Sequence, residues 1–234
     1  MEAKYAKIAD IIRQKARAHH RKRLLVAIAG IPGSGKTTTA AAVAQLLRSS
    51  SPALATALLS MDGFHLSRAV LDMLPNREEA YLRRGAPWTF DASRFVAVVR
   101  QLRQWADLDP QANLSVELQT IHAPSFDHEA KDPVEDGVVI TPDTSVVIIE
   151  GNYCLLNEQI WRDVAQLVDY RIFVDTDLQE ARRRVAKRHV QAGIEATLDA
   201  GLHRVDSNDY LNALIIQDKL ITPDLAVQSI IENA

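Results

Sequence analysis

The eight residues from Gly30 to Thr37 have the pattern G-x-x-x-x-G-K-[ST], whose residue types suit the binding of an anion. Glycines allow positive φ angles, so successive backbone N–H groups can turn toward one ligand. A helix that begins at Lys36 would add unpaired N–H groups and a partial positive charge. The Lys36 ammonium could reach β and γ phosphates, and the Thr37 hydroxyl could reach Mg²⁺. The predicted polyphosphate-binding loop comprises Gly30, Ile31, Pro32, Gly33, Ser34, Gly35, Lys36, Thr37 and Thr38.

This loop must be positioned by a strand before it and a helix after it. Residues 24–29, Leu-Leu-Val-Ala-Ile-Ala, are a continuous apolar run that ends at Gly30, which is typical of a strand buried on both faces. Residues 36–48 are rich in Ala and Leu and predict a helix. The strand and the helix together distinguish a phosphate-binding loop from a chance glycine-rich turn.

Other elements follow from apolar periodicity. Further strands are predicted at 53–59, 145–150, 170–174 and 225–229, and further helices at 3–19, 92–106, 178–193 and 208–218, with Asp177 as a candidate N-cap. Residues 113–137 are polar, and we interpret them as a long connection or excursion. Strands that alternate with helices favour a mostly parallel sheet with right-handed crossovers.

Glu150 ends the apolar strand at 145–150. Ligands of open α/β sheets bind at the carboxyl ends of the strands, so its carboxylate could hold Mg²⁺ directly or through water. The alternative is a helix N-cap or a solvated acid at the strand end. We favour the metal-binding interpretation because of the position at the strand end.

Asp62 lies just after the second predicted strand, in Ser60-Met61-Asp62-Gly63-Phe64-His65. A carboxylate at this edge could accept a proton from an acceptor hydroxyl during in-line transfer. It could equally be a turn residue that bonds its own backbone before Gly63. The spacing alone does not choose between these roles.

Composition excludes several classes of protein. The chain has 234 residues, 47% of them hydrophobic, which is ordinary for a globular protein and argues against disorder. The single cysteine, Cys154, cannot form an intramolecular disulfide, so we expect a reducing, cytoplasmic location. No apolar stretch is long enough to span a membrane. Gly-x-Ser-x-Gly is absent, and the histidines lack partners at zinc-ligand spacing.

The formal net charge is −3, from 27 Lys and Arg against 30 Asp and Glu. Basic residues nevertheless cluster at 13–23 and at 182–188. We interpret the first cluster as a solvated helix face, because it lacks the interleaved aromatic residues of a nucleic-acid interface. We therefore expect no nucleic-acid partner and no membrane partner.

Four segments, in this order, resemble the uridine kinase/phosphoribulokinase/pantothenate kinase superfamily: Gly30–Thr37, Met61–His65, Arg84–Asp91 and Ile149–Tyr153. The sequences Ala-Pro-Trp-Thr-Phe-Asp and Glu-Gly-Asn-Tyr are most similar to kinases associated with fructose transport systems and to their fungal relatives. The resemblance runs from residue 24 to the C-terminus. It implies a P-loop NTPase fold, a three-layer α/β/α sandwich with a five-stranded, mostly parallel sheet and a helical lid.

The resemblance also implies one kinase domain over residues 1–234, with an N-terminal helix at 1–22, an acceptor-side excursion at 113–137 and a lid region at 178–205. The chain would use ATP and Mg²⁺ and transfer a phosphoryl group to a hydroxyl of a small metabolite. Lys36 would bind phosphate, and Thr37 and Glu150 would bind the metal. Asp62 would be the base.

Other roles are implied by the resemblance alone. Arg184 and Arg188 would be lid arginines, catalytic through the charge they bring to the phosphoryl group, and Arg204 and Asn208 would lie near the nucleotide. Acceptor contacts would come from Asp62, His65, Tyr81, Arg84, Phe90, His122 and Asp127. Asn208 could instead cap a helix, His122 could be a loop residue and Phe90 could belong to the core. A homodimer is also compatible with the resemblance.

The acceptor stays open because the sequence Asp62-Gly63-Phe64-His65 departs from the Asp-x-Phe-Tyr of uridine kinases. It resembles pantothenate kinase, but the following residues do not. A sugar, a nucleoside or a pantothenate-like molecule would each suit the pattern. The alternative function is a P-loop ATP-binding or ATPase module that regulates and has no small-molecule acceptor.

Overall fold

Five parallel strands form the central sheet in the computed structural model, which describes residues 2–108 and 119–229. The strands of the chain are β1 (Leu24–Gly30), β2 (Thr56–Ser60), β3 (Ile121–Asp127), β4 (Asp132–Ile140), β5 (Val146–Gly151), β6 (Tyr170–Asp175) and β7 (Leu225–Gln228). The sheet has the order β2-β5-β1-β6-β7, and its four strand pairs are all parallel. The predicted parallel α/β architecture is confirmed.

Helices cover both faces of this sheet. They are α1 (Glu2–Ala18), α2 (Lys36–Arg48), α3 (Arg68–Met73), α4 (Arg77–Leu82), α5 (Ala92–Asp107), α6 (Arg162–Leu167), α7 (Leu178–Gln191), α8 (Leu198–Ser207) and α9 (Asp209–Asp218). Short 3₁₀ turns lie at Met61–Phe64 and Pro87–Thr89. None of the helices in the described part of the chain is long and apolar enough to cross a membrane.

Strand β1 explains why there are three layers. All seven of its residues are buried, and its side chains alternate between two hydrophobic cores because strand residues point to opposite faces. Leu25 and Ala27 join the core covered by α5, α6 and α9. Val26 and Ile28 join the core covered by α1 and α2. The continuous apolar run therefore predicted the strand correctly.

Local signals also placed the predicted helices. Asp177 caps α7 as expected, since its carboxylate accepts hydrogen bonds from the backbone N–H groups of Gln179 and Glu180, each at 3.0 Å. The helices predicted at 92–106, 178–193 and 208–218 correspond to α5, α7 and α9, with bounds that differ by one or two residues. The helices α3, α4, α6 and α8 were not predicted from the sequence.

The segment interpreted as a long connection or excursion at 113–137 contains regular strands that were not predicted. Residues 113–118 lie outside the described residues, but β3 and β4 form an antiparallel hairpin that is separate from the main sheet. The register shifts between Ala123 and Ser125, at Pro124. A proline inside a polar strand hides the alternation on which strand prediction depends, and this is why the hairpin was missed.

The hairpin packs against the 3₁₀ turn that follows β2. Gly63 in this turn has no side chain, and a Cβ atom there would lie 2.2 Å from the carbonyl oxygen of Pro124 in β3. The turn and the hairpin can approach this closely only because residue 63 is glycine. Gly63 thereby fixes the position of Asp62 beside it.

We predict that Gly63→Ala destabilises the protein, because the added methyl group meets backbone that cannot easily move. The free energy of unfolding should fall by about 1–3 kcal/mol, the usual cost of overpacking. Urea unfolding followed by circular dichroism measures this change. An unchanged urea midpoint would show that the hairpin does not press on the turn.

Candidate active site

The glycine-rich loop joins β1 to α2, as predicted. Gly33 and Gly35 have φ angles of 82° and 84°, in the left-handed region that favours glycine. No side chain caps α2, whose N-cap residue is Gly35, so the backbone N–H groups of its first turn are free of intrahelical partners. This arrangement forms a concave set of donors at the positive end of a helix.

Glu150 lies beside this loop, at the carboxyl end of β5. Its side chain accepts hydrogen bonds from the hydroxyls of Thr37, at 3.1 Å, and Ser60, at 2.6 Å. The residue is only 1% exposed. Burial raises the pKa of Glu150, the Lys36 ammonium opposes that shift, and the Asp62 carboxylate adds to it. The alternatives of a solvated acid and a helix cap do not describe this residue.

Asp62 lies in the 3₁₀ turn after β2, half-buried. The Ser60 hydroxyl accepts the Asp62 backbone N–H at 3.3 Å and so provides the cap of this turn. The Asp62 carboxylate makes no hydrogen bond or ion pair with any residue in the described ranges. The interpretation of Asp62 as a turn residue bonded to its own backbone is therefore not what the structure contains.

His65 packs against two aromatic rings next to Asp62. Its ring centroid lies 3.9 Å from that of Phe90 and 4.9 Å from that of Phe126. Its Nδ1 atom lies 2.8 Å from the Asp62 carbonyl oxygen, an acceptor, so Nδ1 must carry a proton. Burial lowers the pKa of His65, which keeps the ring neutral at pH 7. Phe90 is 6% exposed and belongs to the hydrophobic core, as its alternative interpretation held.

The protein engages Arg84 through both terminal nitrogens of its guanidinium, whereas its buried Nε has no partner among the described residues. Its guanidinium donates to the carbonyl oxygens of Lys131, at 2.7 Å, and Leu66, at 3.1 Å, and pairs with Asp132 at 3.3 Å. These bonds tie the segment after α4 to the β-hairpin. Arg84 thus has a clear structural role beside its predicted role as an acceptor contact.

The other predicted acceptor residues bond to other parts of the protein or are exposed. The Tyr81 hydroxyl donates to Asp72 at 3.0 Å. The Asp127 carboxylate accepts the N–H groups of Glu129 and Ala130 in the hairpin turn, which lowers its pKa. His122 lies on the exposed face of β3. Among the described residues, none of these three side chains makes a hydrogen bond or ring contact with Asp62 or His65, and their acceptor roles stay predictions.

Helix α7, in the predicted lid region, touches the loop through Arg184. Its guanidinium pairs with Glu180 at 2.9 Å and donates to the Ser229 hydroxyl at 2.8 Å and to the Gly33 carbonyl oxygen at 3.4 Å. Arg188, one turn further, is exposed and has no hydrogen bond or ion pair within the described part of the chain. The two predicted lid arginines therefore differ: the first is anchored to the loop and the second is available.

Neither Arg204 nor Asn208 bonds to the glycine-rich loop in the described part of the chain, and their place near the nucleotide stays a prediction. Arg204 is exposed and pairs with Glu195 at 3.5 Å. Asn208 is 8% exposed and immediately precedes α9, but its side chain does not cap that helix. Its Nδ2 instead donates to the Arg84 carbonyl oxygen at 2.7 Å. Asn208 thus joins α9 to the segment that follows α4.

The sequence did not reveal that Arg83 contributes to this contact between α9 and the segment that follows α4. The Arg83 guanidinium donates to the side-chain oxygens of Asn208 and Asn212, each at 3.2 Å. Two residues later, the Gly85 carbonyl oxygen accepts the Tyr153 hydroxyl at 2.5 Å. These contacts connect positions more than 60 residues apart, so no local pattern could indicate them.

A cavity of about 360 Å³ lies beside the loop, between α1, α2, α7 and β7. It is lined by Lys4, Tyr5 and Ile8 of α1, by Ser34, Gly35, Thr38 and Thr39, by Glu180, Arg184, Lys187 and Gln191 of α7, and by Val174, Val227, Gln228 and Ser229. The Lys4 ammonium donates to the Gln228 carbonyl oxygen at 3.0 Å, which closes one side. Sequence reasoning assigned no site residue to α1.

Comparison with known proteins identifies relatives of this chain. The profile of the phosphoribulokinase / uridine kinase family matches residues 25–200. A protein of Schizosaccharomyces pombe, provisionally named a uridine kinase, is 37% identical over 211 residues, which cover 90% of this chain and 85% of that protein.

Solved structures give the same result. A provisionally named fructose transport system kinase from Silicibacter sp. TM1040 superposes with a TM-score of 0.79 at 28% identity, over 95% of this chain and 98% of that one. YFH7 from Saccharomyces cerevisiae, provisionally described as a P-loop containing kinase, superposes with a TM-score of 0.82 at 25% identity, over 96% and 98% of the two chains. The P-loop fold and the resemblance to such kinases are confirmed. The chain belongs to the phosphoribulokinase / uridine kinase family and is a phosphotransferase.

Proposed function

We propose that this protein is an ATP- and Mg²⁺-dependent kinase that transfers the γ-phosphoryl group to a hydroxyl of a small metabolite. A sugar, a nucleoside or a pantothenate-like molecule fits the proposal. The observation that carries it is the unpaired Asp62 carboxylate, which lies at the same edge of the sheet as Glu150, Thr37 and the glycine-rich loop.

The loop would bind the phosphates. Its backbone N–H groups and the Lys36 ammonium supply the positive potential that a triphosphate needs. Arg184 already contacts the Gly33 carbonyl oxygen, so α7 lies against the loop, and a movement of α7 would bring Arg188 toward the phosphates. Closure of this helix would exclude water, which would otherwise compete with the acceptor hydroxyl.

The residues beside the loop fit a magnesium site. The Thr37 hydroxyl and the buried Glu150 carboxylate are hard oxygen ligands, and Mg²⁺ in kinases uses few protein ligands beside phosphate oxygens. A bound ion would neutralise charge on the phosphate oxygens. The Ser60 hydroxyl holds the other oxygen of Glu150 and so fixes the orientation of this carboxylate.

Asp62 would act as the general base. The acceptor oxygen attacks the γ-phosphorus, the bond to the β-phosphate oxygen breaks, the hydroxyl proton moves to Asp62, and ADP leaves. Neutral His65 and the ring of Phe126 would flank the acceptor. Their apolar surfaces suit a carbon skeleton or ring better than a second charged group.

The nucleoside would occupy the cavity beside the loop. Its volume of about 360 Å³ falls within the range of small-molecule sites. Helix α1, which precedes the matched family region, would contribute the Tyr5 ring. The proposal also places the enzyme in the cytoplasm, supported by the free, buried Cys154.

Asp62→Asn should lower the rate of product formation by about 10²–10⁴-fold, the usual contribution of a general base, because the amide cannot accept the proton. The measurement starts with Mg-ATP and a pool of sugars, nucleosides and vitamins, with detection of phosphorylated product by mass. Formation of the product identified with the wild type is then measured with the variant. The exposed Asp163, paired with Arg100, gives the control variant Asp163→Asn, which should keep full activity.

Near-normal turnover in Asp62→Asn would remove the base assignment. If the wild type formed only inorganic phosphate from ATP with every pooled compound, an ATPase without a small-molecule acceptor would replace the proposed kinase.

Glu150→Gln should stabilise the protein without ligand at high pH. Because burial raises the pKa of Glu150, its ionised form destabilises the folded state, and that loss of stability grows as the pH rises through the folded pKa. The difference in melting temperature between variant and wild type should therefore increase from pH 5 to pH 8. The gain in ATP affinity that Mg²⁺ produces should be about 10–100-fold smaller in this variant than in the wild type. Glu135→Gln, at an exposed ion pair, is the control. A constant difference across this pH range would contradict the argument.

Tyr5→Ala should weaken Mg-ATP binding by about 2–12-fold, since an aromatic contact contributes about 0.5–1.5 kcal/mol. Binding of inorganic tripolyphosphate, which has no nucleoside, should not change. Calorimetry with both ligands makes this comparison, and Lys7→Ala, on the exposed side of α1, is the control. Equal weakening for both ligands would mean that Tyr5 acts on the loop and not on the nucleoside.

A further inference from the structure

Arg83 is held in place without being neutralised. Its guanidinium is half-buried and bonds the amide oxygens of Asn208 and Asn212, each at 3.2 Å. Both asparagines are buried, with Asn212 only 1% exposed. Within the described residues, no carboxylate lies within ion-pair distance of Arg83. Neutral amides fix the direction of a guanidinium but leave its full positive charge.

Neighbouring arginines are treated differently. Arg84 pairs with Asp132, Arg182 pairs with Asp206 through both carboxylate oxygens, and Arg184 pairs with Glu180. A partly buried charge without a counter-ion costs free energy. The pair of asparagines around Arg83 therefore suits a counter-ion that arrives with a ligand.

Contacts connect the segment that carries Arg83 to the end of β5 and, through α9, to the phosphate loop. Gly85, two residues later, bonds the Tyr153 hydroxyl, three residues beyond Glu150. On the other side, Asn212 belongs to α9, whose residues Asp209 and Ala213 line one small void together with Pro32 of the loop. Helix α9 thus connects Arg83 to the loop, and the hydrogen bond between Gly85 and Tyr153 connects its segment to the end of β5.

Asp209, next to Asn208, does not serve as the counter-ion. Its carboxylate lies 4.0 Å from His189, and the charges that act on it are those of His189, Arg188 and Arg204. Burial raises its pKa. The groups of α7 and α8 therefore compensate Asp209 and leave Arg83 uncompensated.

We propose that Arg83 is a catalytic residue that binds the phosphoryl group during its transfer, held in position by Asn208 and Asn212. Its planar donors match the equatorial phosphoryl oxygens, on which charge is spread in the transition state. This inference rests on the proposed kinase function and adds a cation from the acceptor side to the two from the lid.

The test uses the full chain with Mg-ADP and with Mg-ADP plus aluminium fluoride, which imitates the phosphoryl group in transfer and needs no identified acceptor. Calorimetry of the wild type should show binding at least tenfold tighter with aluminium fluoride than with Mg-ADP alone. Arg83→Ala should reduce this ratio to below threefold and leave the affinity for Mg-ADP within twofold. Arg94→Ala, at the exposed ion pair with Glu135, is the matched control.

Two further measurements separate anion binding from a structural role. Guanidinium ion at millimolar concentration should restore the ratio in Arg83→Ala, whereas urea, planar but uncharged, should not. Asn212→Asp places a carboxylate next to Arg83; it should lower the ratio as Arg83→Ala does, while its melting temperature equals or exceeds that of Asn212→Ala.

The inference is overturned if Arg83→Ala keeps the wild-type ratio, if urea rescues as well as guanidinium, or if Asn212→Asp retains the ratio. Absence of Mg-ADP binding to the folded wild type would instead overturn the proposed function itself. The two failures are therefore distinguishable.

Discussion

The hydrogen bonds to the buried Glu150 carboxylate hold together the parts on which the site depends. The Thr37 hydroxyl brings the first turn of α2 to β5, and the Ser60 hydroxyl brings the end of β2 to the same carboxylate. Ser60 in turn caps the 3₁₀ turn that carries Asp62. One buried acid thus connects the glycine-rich loop with the proposed base. Removing it from water costs free energy, which the two donated hydrogen bonds and the Lys36 charge reduce.

Parallel strand topology explains why these groups meet. Strands β2, β5 and β1 are adjacent, and their carboxyl ends carry Ser60, Glu150 and the glycine-rich loop in turn. Parallel strands bring residues distant in sequence to one edge, where α/β proteins bind ligands. The chain therefore needs only short local motifs at three strand ends, since the sheet supplies their spacing.

The sequence predicted what depends on local signals. Residues 24–29 had to form a buried strand, and the glycines that follow had to form the loop, because apolar runs and left-handed glycines act within a few residues. The hairpin escaped prediction because Pro124 and the polar residues around it obscure its alternation. Arg83 and Tyr5 were missed for another reason. Their neighbours lie far away in sequence, so only the folded chain brings them into contact.

The charged side chains divide according to whether the fold already compensates them. Arg182, Arg184 and Asp127 have partners that hold helices, the loop or the hairpin turn. The Asp62 carboxylate and the Arg188 guanidinium make no hydrogen bond or ion pair among the described residues, although the Arg188 charge acts at longer range on Asp209. A charge that the fold leaves uncompensated contributes little to stability, so its retention at the carboxyl edge of the sheet or on the lid needs another reason. Resemblance to a family can indicate Arg84 and Asp127 by position. Only the contacts reveal that other groups of the protein already bond to these two side chains. The distinction between occupied and available charges therefore identifies the groups that can respond to an incoming phosphate and an acceptor hydroxyl.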